Sequence, residues 1–409
     1  MASEGRRSGR SVCTVKILDL AEFFSERGGG VRAYLTQLLR EGGARGHDMV
    51  VIAPGPRDEE LAVEGGRVVR LRGPAMPYDP SYHALTRVGD ARARLRAERP
   101  DVLQASAPYV AAPVVAMERG PLRVLVVHSD FIDTYAHPVL RSLGGQGFAE
   151  RALALPWRAF ARGAARFDLT LVSGPWLAAK LRRHGVPRVV CVPFGIDHAR
   201  FSPALRDDAI RRELMGARAD APGAKLLVLA GRLSVEKRAA LALKACARVD
   251  REVPLAVVVM GDGPERARLE ALARSLGLCA RFTGFLTDRE RYSRTLASAD
   301  ALIHGCAVET FGFVVAEALA SGVPVVVPDA GGAADFVDEG CAERYDRDGG
   351  PVAAAVATRR LLQRPAEHLR AAAVLAGARV PTAASHFDAL FNLYERCLRE
   401  GVERALEPR

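Results

Sequence analysis

The sequence predicts an α/β protein of two similar halves, each a parallel sheet flanked by helices, with the two sheets facing across a central cleft. Three observations predict it. Short apolar runs recur along the chain with helical stretches between them, the alternation that builds parallel sheets. That alternation stops over the polar, charged stretch Arg206–Ala224 and then starts again. Finally, 409 residues with 49% hydrophobic side chains are enough for two or three domains with large cores.

In the first half, buried strands are read at Val15–Leu20, Met49–Ala53, Val68–Leu71, Val102–Gln104, Val124–Val127 and Leu169–Val172. The first is followed by the small-residue loop Ser25-Glu26-Arg27-Gly28-Gly29-Gly30 and a helix through Val31–Leu39, whose apolar residues recur at helical spacing. Amides of such a loop can approach a phosphate or sugar with no side chain in the way. By itself the loop is as well read as a plain turn. The chain passes through Val189–Pro193, and the hinge between halves is placed near Phe194–Pro203. The second half repeats the pattern at Leu226–Ala230, Leu255–Met260, Ala280–Thr283, Ala301–Ile303 and Val323–Val327. After Pro365 the sequence is rich in alanine, leucine and arginine at helical spacing through Phe387–Leu398, and residues beyond Gly401 read as disordered. The resulting division is 1–198, 199–384 and a terminal helix over 385–409.

Composition excludes several functions. No apolar run approaches the roughly 18 to 20 residues of a membrane span, and Met1–Arg10 is polar and arginine-rich, without the hydrophobic stretch of a secretory signal. A cytoplasmic location is expected. Seven cysteines, scattered and never spaced Cys-x-x-Cys, argue for reduced thiols and against a zinc knuckle. The net charge of +10 is spread along the chain without a basic tail or an RNA-binding aromatic motif, so nucleic acid is not an expected partner. Gly261-Asp262-Gly263-Pro264-Glu265-Arg266 has arginine where a dinucleotide fingerprint needs its third glycine, which disfavours a nicotinamide enzyme.

The informative cluster lies in the second half. Glu309 and Glu317 bracket Glu309-Thr310-Phe311-Gly312-Phe313-Val314-Val315-Ala316-Glu317, and upstream Gly231-Arg232-Leu233-Ser234-Val235-Glu236-Lys237-Arg238 follows a strand. An open parallel sheet keeps its ligands at such strand-to-helix crossings. A diphosphate gains negative charge on its leaving side when the bond to an anomeric carbon breaks. Arg232 and Lys237 are the cations placed to meet it, each worth about 4 kcal/mol at ~4 Å with an effective dielectric near 20. A bound metal is then unnecessary, and none is expected.

Gly312 falls where loop should become helix, leaving amides near Phe311–Val314 free for phosphate oxygens. Five residues further on, at ~1.5 Å per residue, Glu317 lies about 7.5 Å along the helix, a suitable distance for the ribose hydroxyls. Glu309 precedes the helix and projects towards the transferred sugar, whose hydroxyls a carboxylate accepts. Either glutamate alone would be read as an ordinary polar residue at a helix start.

The run from Leu226 to Val337 resembles the retaining glycosyltransferases of family four, whose fold is called GT-B, two Rossmann-like domains facing a cleft. The match comprises Gly231-Arg232 with Lys237, Gly261-Asp262-Gly263-Pro264, Phe282-Thr283-Gly284-Phe285, Glu309-Thr310-Phe311-Gly312 and Ala320-Ser321-Gly322-Val323-Pro324-Val325. Five blocks in order make chance agreement remote. The resemblance implies that the last helix crosses back to the first domain and that Gly29 and Gly30 face the donor diphosphate across the cleft. Val127-His128-Ser129-Asp130-Phe131, with Tyr135 after it, resembles the His-x-Asp block of sulfolipid synthases and lipid mannosyltransferases, which have threonine in place of Ser129. By that likeness His128 bonds a donor-sugar hydroxyl, while Asp130 and Tyr135 touch sugar or acceptor. A lone histidine at a strand end is otherwise more often a satisfied structural residue.

The expected activity is transfer of a hexose from a nucleoside diphosphate sugar, GDP-mannose or a UDP-hexose, to the hydroxyl of a lipid, glycan or small molecule. Retention is inherited from the resemblance, and no cofactor beyond the donor is called for. The rivals are a sugar-nucleotide epimerase or hydrolase on the same scaffold, which would consume donor without an acceptor, and a non-catalytic binding subunit. Over Glu150–Arg166, Arg151, Arg158 and Arg162 gather on a helix with Leu155, Trp157 and Phe160 elsewhere around it. A solvated basic face over a packed core is the favoured reading, a peripheral membrane contact the other. Asp346-Arg347-Asp348 has an Asp-x-Asp form but sits in a glycine-rich loop and is read as a turn.

Overall fold

The computed structural model describes residues 14–25, 30–77 and 79–407, with the side chains of 135, 137, 138 and 146 left aside. Its strands run, in chain order, β1 (Lys16–Leu20), β2 (Asp48–Gly55), β3 (Glu59–Val63), β4 (Gly66–Arg72), β5 (Ala75–Met76), β6 (Asp79–His83), β7 (Val102–Ala105), β8 (Leu122–Val127), β9 (Leu169–Val172) and β10 (Val189–Cys191). The second half adds β11 (Lys225–Ala230), β12 (Leu255–Met260), β13 (Cys279–Gly284), β14 (Ala301–Ile303), β15 (Val325–Pro328) and β16 (Ala342–Tyr345).

The first sheet has the order β10-β9-β8-β7-β1-β2-β4-β3 and the second β13-β12-β11-β14-β15-β16. Every pair in both is parallel except β3 with β4. The continuous apolar runs follow from this: a parallel strand is covered on both faces and cannot alternate apolar with polar. Each sheet carries two cores, one per face. Leu18, Leu20 and Ile52 point to one side of the first sheet and Ile17, Met49 and Val51 to the other.

The terminal helix Ala383–Glu400 belongs to the first sheet although it follows the second. Phe387, Leu390, Phe391 and Tyr394 pack with Ile17, Leu35 and Val51, and Ile196 bridges to Thr382 where the two crossings of the chain run side by side. Two sheets, two crossings and a returning helix are the GT-B architecture.

The differences from the sequence reading have local causes. β3, Glu-Glu-Leu-Ala-Val, is largely exposed and held at the sheet edge by antiparallel pairing to β4, so no buried run announces it. β10 and β16 are short edge strands with mixed burial. The polar stretch Arg206–Ala224 carries a helix of its own. Asp207 accepts the N–H groups of Ala209 and Ile210, capping a helix over Asp208–Met215 whose Leu214 and Met215 enter the second core. Beyond Gly401 a short helix, Val402–Ala405, buries Ala405. Val323, read as strand, closes the preceding helix by donating to the Ala318 carbonyl at 2.8 Å.

Candidate active site

In both sheets the strand order reverses beside a central strand, at β1 between β7 and β2 and at β11 between β12 and β14. Such switch points leave a crevice at the carboxyl ends of the strands. Lys237 follows β11 in the one-turn helix Val235–Lys237, and Glu309 follows β14. Gly305 lets the two loops touch: a Cβ there would lie 2.7 Å from the Lys237 carbonyl and 2.9 Å from that of Arg238. The approach brings Lys237 Nζ to 2.7 Å from Glu309 Oε2. Burial would push the Glu309 carboxyl up, but the adjacent ammonium, with His304 and the Thr310 N–H, holds it below its ordinary value. The same partner, outweighing burial, raises Lys237. Both groups are charged at neutral pH.

Arg232 is exposed, with no ion pair or side-chain hydrogen bond among the described residues. It is a cation without an internal partner on the rim that holds Lys237. Gly312 caps the helix Phe313–Ala320 at φ 92, a left-handed conformation that glycine adopts without strain. The first amides of that helix, at Phe313 and Val314, have no carbonyl within it to bond. The Phe311 side chain is buried among Phe194, Phe313 and Phe336, so it contributes packing while its backbone lies in the turn. Glu317 lies further along this helix and accepts the Tyr292 hydroxyl at 2.8 Å. Burial, only partly opposed by that bond, moves its carboxyl up to about 7.

The first half supplies His128 at the end of β8. Its Nε2 lies 3.2 Å from Ser106 Oγ, which donates to Asp19 Oδ2 at 2.7 Å; Gln104 Nε2 donates to the same oxygen at 3.0 Å. Burial takes Asp19 up to about 7 against those two bonds, and burial with nearby His386 takes His128 down to about 4, so its imidazole is neutral. Thr310 Oγ1 joins the halves by donating to the His128 carbonyl at 2.9 Å. Phe194, on the crossing segment, stacks on Phe313 with centroids 5.5 Å apart and meets Tyr34 at 5.0 Å.

The other expected residues divide. Gly30 opens the helix Gly30–Ala44 with free space around it, whereas Gly29 lies outside the described residues. Asp130, expected at the sugar or acceptor, is paired inside the first half. Its side chain is fully buried and ion-paired with Lys180, which also holds Asp133 at 2.5 Å and lies over the rings of Trp157 and Trp176. Lys180 is on the helix Pro175–Arg183, and nothing in the sequence near Asp130 announces it. Tyr135 falls in the turn Ile132–Ala136, its side chain outside the description. Asp346-Arg347-Asp348 is a turn in which the Asp348 N–H bonds the Asp346 carboxylate at 2.8 Å, and Asp348 pairs with Arg141 of the other half.

Sequence reasoning missed Asp19, Ser106 and Tyr292. Asp19 left one signal, a carboxylate inside the apolar run Ile17-Leu18-Asp19-Leu20, since a buried acid without a partner is too costly to keep. Ser106 and Tyr292 left none.

Two facing parallel sheets, each reversing its strand order at a central strand and joined by two crossings of the chain, define a two-domain protein of the GT-B class. Family models agree half by half: Glycosyltransferase Family 4 matches residues 28–200 and Glycosyl transferases group 1 matches residues 211–367. The chain is 34% identical over 364 residues to a GDP-mannose-dependent alpha-(1-6)-phosphatidylinositol dimannoside mannosyltransferase of Mycobacterium tuberculosis, covering 87% of this chain and 90% of that one. It is 30% identical over 335 residues to a GDP-mannose-dependent alpha-mannosyltransferase of Corynebacterium glutamicum, covering 80% and 75%. Among solved structures, sucrose-phosphate synthase from Thermosynechococcus elongatus superposes with a TM-score of 0.72 at 20% identity, over 94% of this chain and all of that one, a likeness of fold. This chain belongs to glycosyltransferase family four and is a hexosyltransferase that uses a nucleotide sugar. No helix among the described residues is long and apolar enough to cross a membrane.

Proposed function

We propose that this enzyme transfers mannose from GDP-mannose to a hydroxyl of a lipid or glycolipid acceptor, with retention at the anomeric carbon and without a metal. The observation that carries the reading is the Lys237–Glu309 pair at the β11–β14 crevice, with Arg232, unpaired among the described residues, on the same loop as Lys237. The names of the two curated relatives support mannose, GDP and, for the first, a phosphatidylinositol mannoside.

The diphosphate lies over the amides of Phe313 and Val314, where Arg232 and Lys237 take up the charge that grows as the bond from anomeric carbon to phosphate oxygen breaks. Glu317 holds the ribose, and Glu309 and the neutral His128 hold the sugar. The acceptor hydroxyl enters on the face the phosphate is leaving, forms the new carbon–oxygen bond and passes its proton to the departing phosphate oxygen. Gly29 and Gly30 face the diphosphate from the first domain, which we bound at residue 198, with the donor domain over 199–384 and the returning helix from 385. Positioning and charge neutralisation then supply the catalysis. An epimerase or hydrolase reading is not favoured by relatives whose names are those of transferases.

We place the enzyme on the cytoplasmic face of a membrane. The helical segment His137–Ala164, broken at Gly144–Gly145, exposes Phe148 and Leu155 with Arg151, Arg158 and Arg162 after the break and Val139 and Leu143 before it, apolar and basic groups suited to anionic headgroups. Salt-sensitive flotation with anionic liposomes that survives changing the three arginines to glutamate would remove this part of the reading.

A panel of GDP- and UDP-sugars read by melting temperature tests the donor, because a ligand bound only by the folded state raises it. GDP-mannose should give the largest shift, and turnover should need an acceptor and survive chelation. A larger shift with a UDP-sugar, or activity that chelation abolishes and magnesium restores, overturns it.

A further inference from the structure

Glu309 has neighbours that sugar transfer does not use. His304 and Cys306 follow β14 in the same loop, and one ligand atom from each of His304, Cys306 and Glu309 lies within 4.8 Å of the others, the one such group among the described residues. His304 is 7% exposed, and its Nε2 has no hydrogen-bond partner. It stops 3.8 Å from Glu309 Oε2, too far for a bond and close to the spacing of two ligands on one ion. Cys306 is 1% exposed.

The loop is held where it stands. The His304 N–H bonds the Val326 carbonyl at 2.8 Å, and the Tyr345 hydroxyl bonds the His304 carbonyl at 2.9 Å. Imidazole, thiolate and carboxylate on a fixed backbone are the donor set of tetrahedral zinc, whose ligands sit roughly 3.5 Å apart for bonds of about 2.0 to 2.3 Å. The widest of the three separations closes by about 1 Å, within reach of side-chain rotation.

We propose that His304 Nε2, Cys306 Sγ and Glu309 form a binding site for zinc that overlaps the donor site, so that a bound ion inhibits the enzyme. The thiol releases its proton to solvent as sulfur binds, and water completes the coordination. Lys237, 31% exposed on its loop at the cleft, gives up its bond to Glu309 and turns to solvent. The inhibitory half rests on the assignment of Glu309 to the donor; the binding half does not.

The test titrates the chelator-washed full-length protein with cobalt, whose bond to a thiolate gives a charge-transfer absorption, and with zinc in competition against a chromophoric chelator. Wild type should take up one equivalent and show the band. Cys306→Ser should lose the band, keep its metal-free transfer activity and melting temperature, and bind zinc at least tenfold more weakly, as should His304→Ala. Zinc should raise the apparent Kd for GDP-mannose in wild type and far less in Cys306→Ser. No band in wild type, or a band unchanged in the folded Cys306→Ser protein, overturns the site. One equivalent bound through Cys306 with donor affinity unchanged overturns the competition, and with it the place of Glu309 at the donor, while the metal site stands.

Discussion

Thr310 Oγ1, in the second half, donates a hydrogen bond to the backbone carbonyl of His128, in the first half, at 2.9 Å. The same turn that opens the helix at Gly312 therefore also fixes the strand end carrying the imidazole. Thr310→Val keeps the shape and removes the donor, and one such bond is worth about 1 kcal/mol, roughly fivefold in kcat/KM. Thr310→Ser should retain nearly all activity. Equal kcat/KM for wild type and the valine variant would show that the bond does nothing for the reaction.

Arg232 and Lys237 should behave differently although we assign both to the phosphates. Arg232 has no partner among the described residues to lose, so Arg232→Ala should leave stability within about 0.5 kcal/mol and lower kcat/KM by about 2 to 4 kcal/mol. Lys237→Ala also strands Glu309, and should cost about 1 to 3 kcal/mol of stability, less than a fully buried pair because the two side chains are 31% and 20% exposed. Denaturant melts beside kinetics separate the two, and a destabilised Arg232 variant would contradict the geometry described.

How much could be read in advance depended on whether the determining interactions were local. Both sheets were legible, because runs such as Leu255–Met260 are buried on both faces and must be apolar. The loop-to-helix turn at Gly312 was legible too, since its backbone conformation calls for glycine within a few residues. β3 was hidden because an exposed strand need not be apolar. The link Asp19–Ser106–His128 was hidden for another reason: it joins β1, β7 and β8, which become neighbours only once the strand order is known. Lys180 meets Asp130 in the same way, across 50 residues of chain.

Glu317 makes the enzyme's response to pH predictable in sign. Its carboxyl moves from 4.5 to about 7 in the fold, so the folded chain binds the proton more tightly than the unfolded one. The stability this group contributes is fully present below pH 4.5 and is lost as pH rises to about 7. Ribose hydroxyls donate better to a carboxylate than to a carboxylic acid, so nucleotide affinity should move the opposite way, strengthening from pH 6 to 8. Calorimetry with GDP across that range should show the rise in wild type and its loss in Glu317→Gln. A flat profile in wild type would remove Glu317 from the ribose.

Ser106 has one hydroxyl proton, and when Asp19 is ionised it goes to that carboxylate, 2.7 Å away. Towards His128 it can then only accept, which puts the imidazole proton on Nε2, 3.2 Å from Ser106 Oγ, and leaves Nδ1 to accept the sugar hydroxyl we assign to His128. Ser106→Ala cuts this link while leaving Asp19 its bond from Gln104, so the fold should survive. It should lower kcat by roughly tenfold, about 1.4 kcal/mol, with little change in KM, since the imidazole can then turn or take the wrong tautomer. A purely structural serine would give a similar loss in any background. If Ser106 acts by holding His128, Ser106→Ala should cost nothing further once His128 is alanine, and the double-mutant cycle should show a coupling about equal to the single effect. Additive losses would mean that the serine acts elsewhere and that His128 is held by its aromatic neighbours, Tyr34 at 4.9 Å and Phe194 at 6.3 Å.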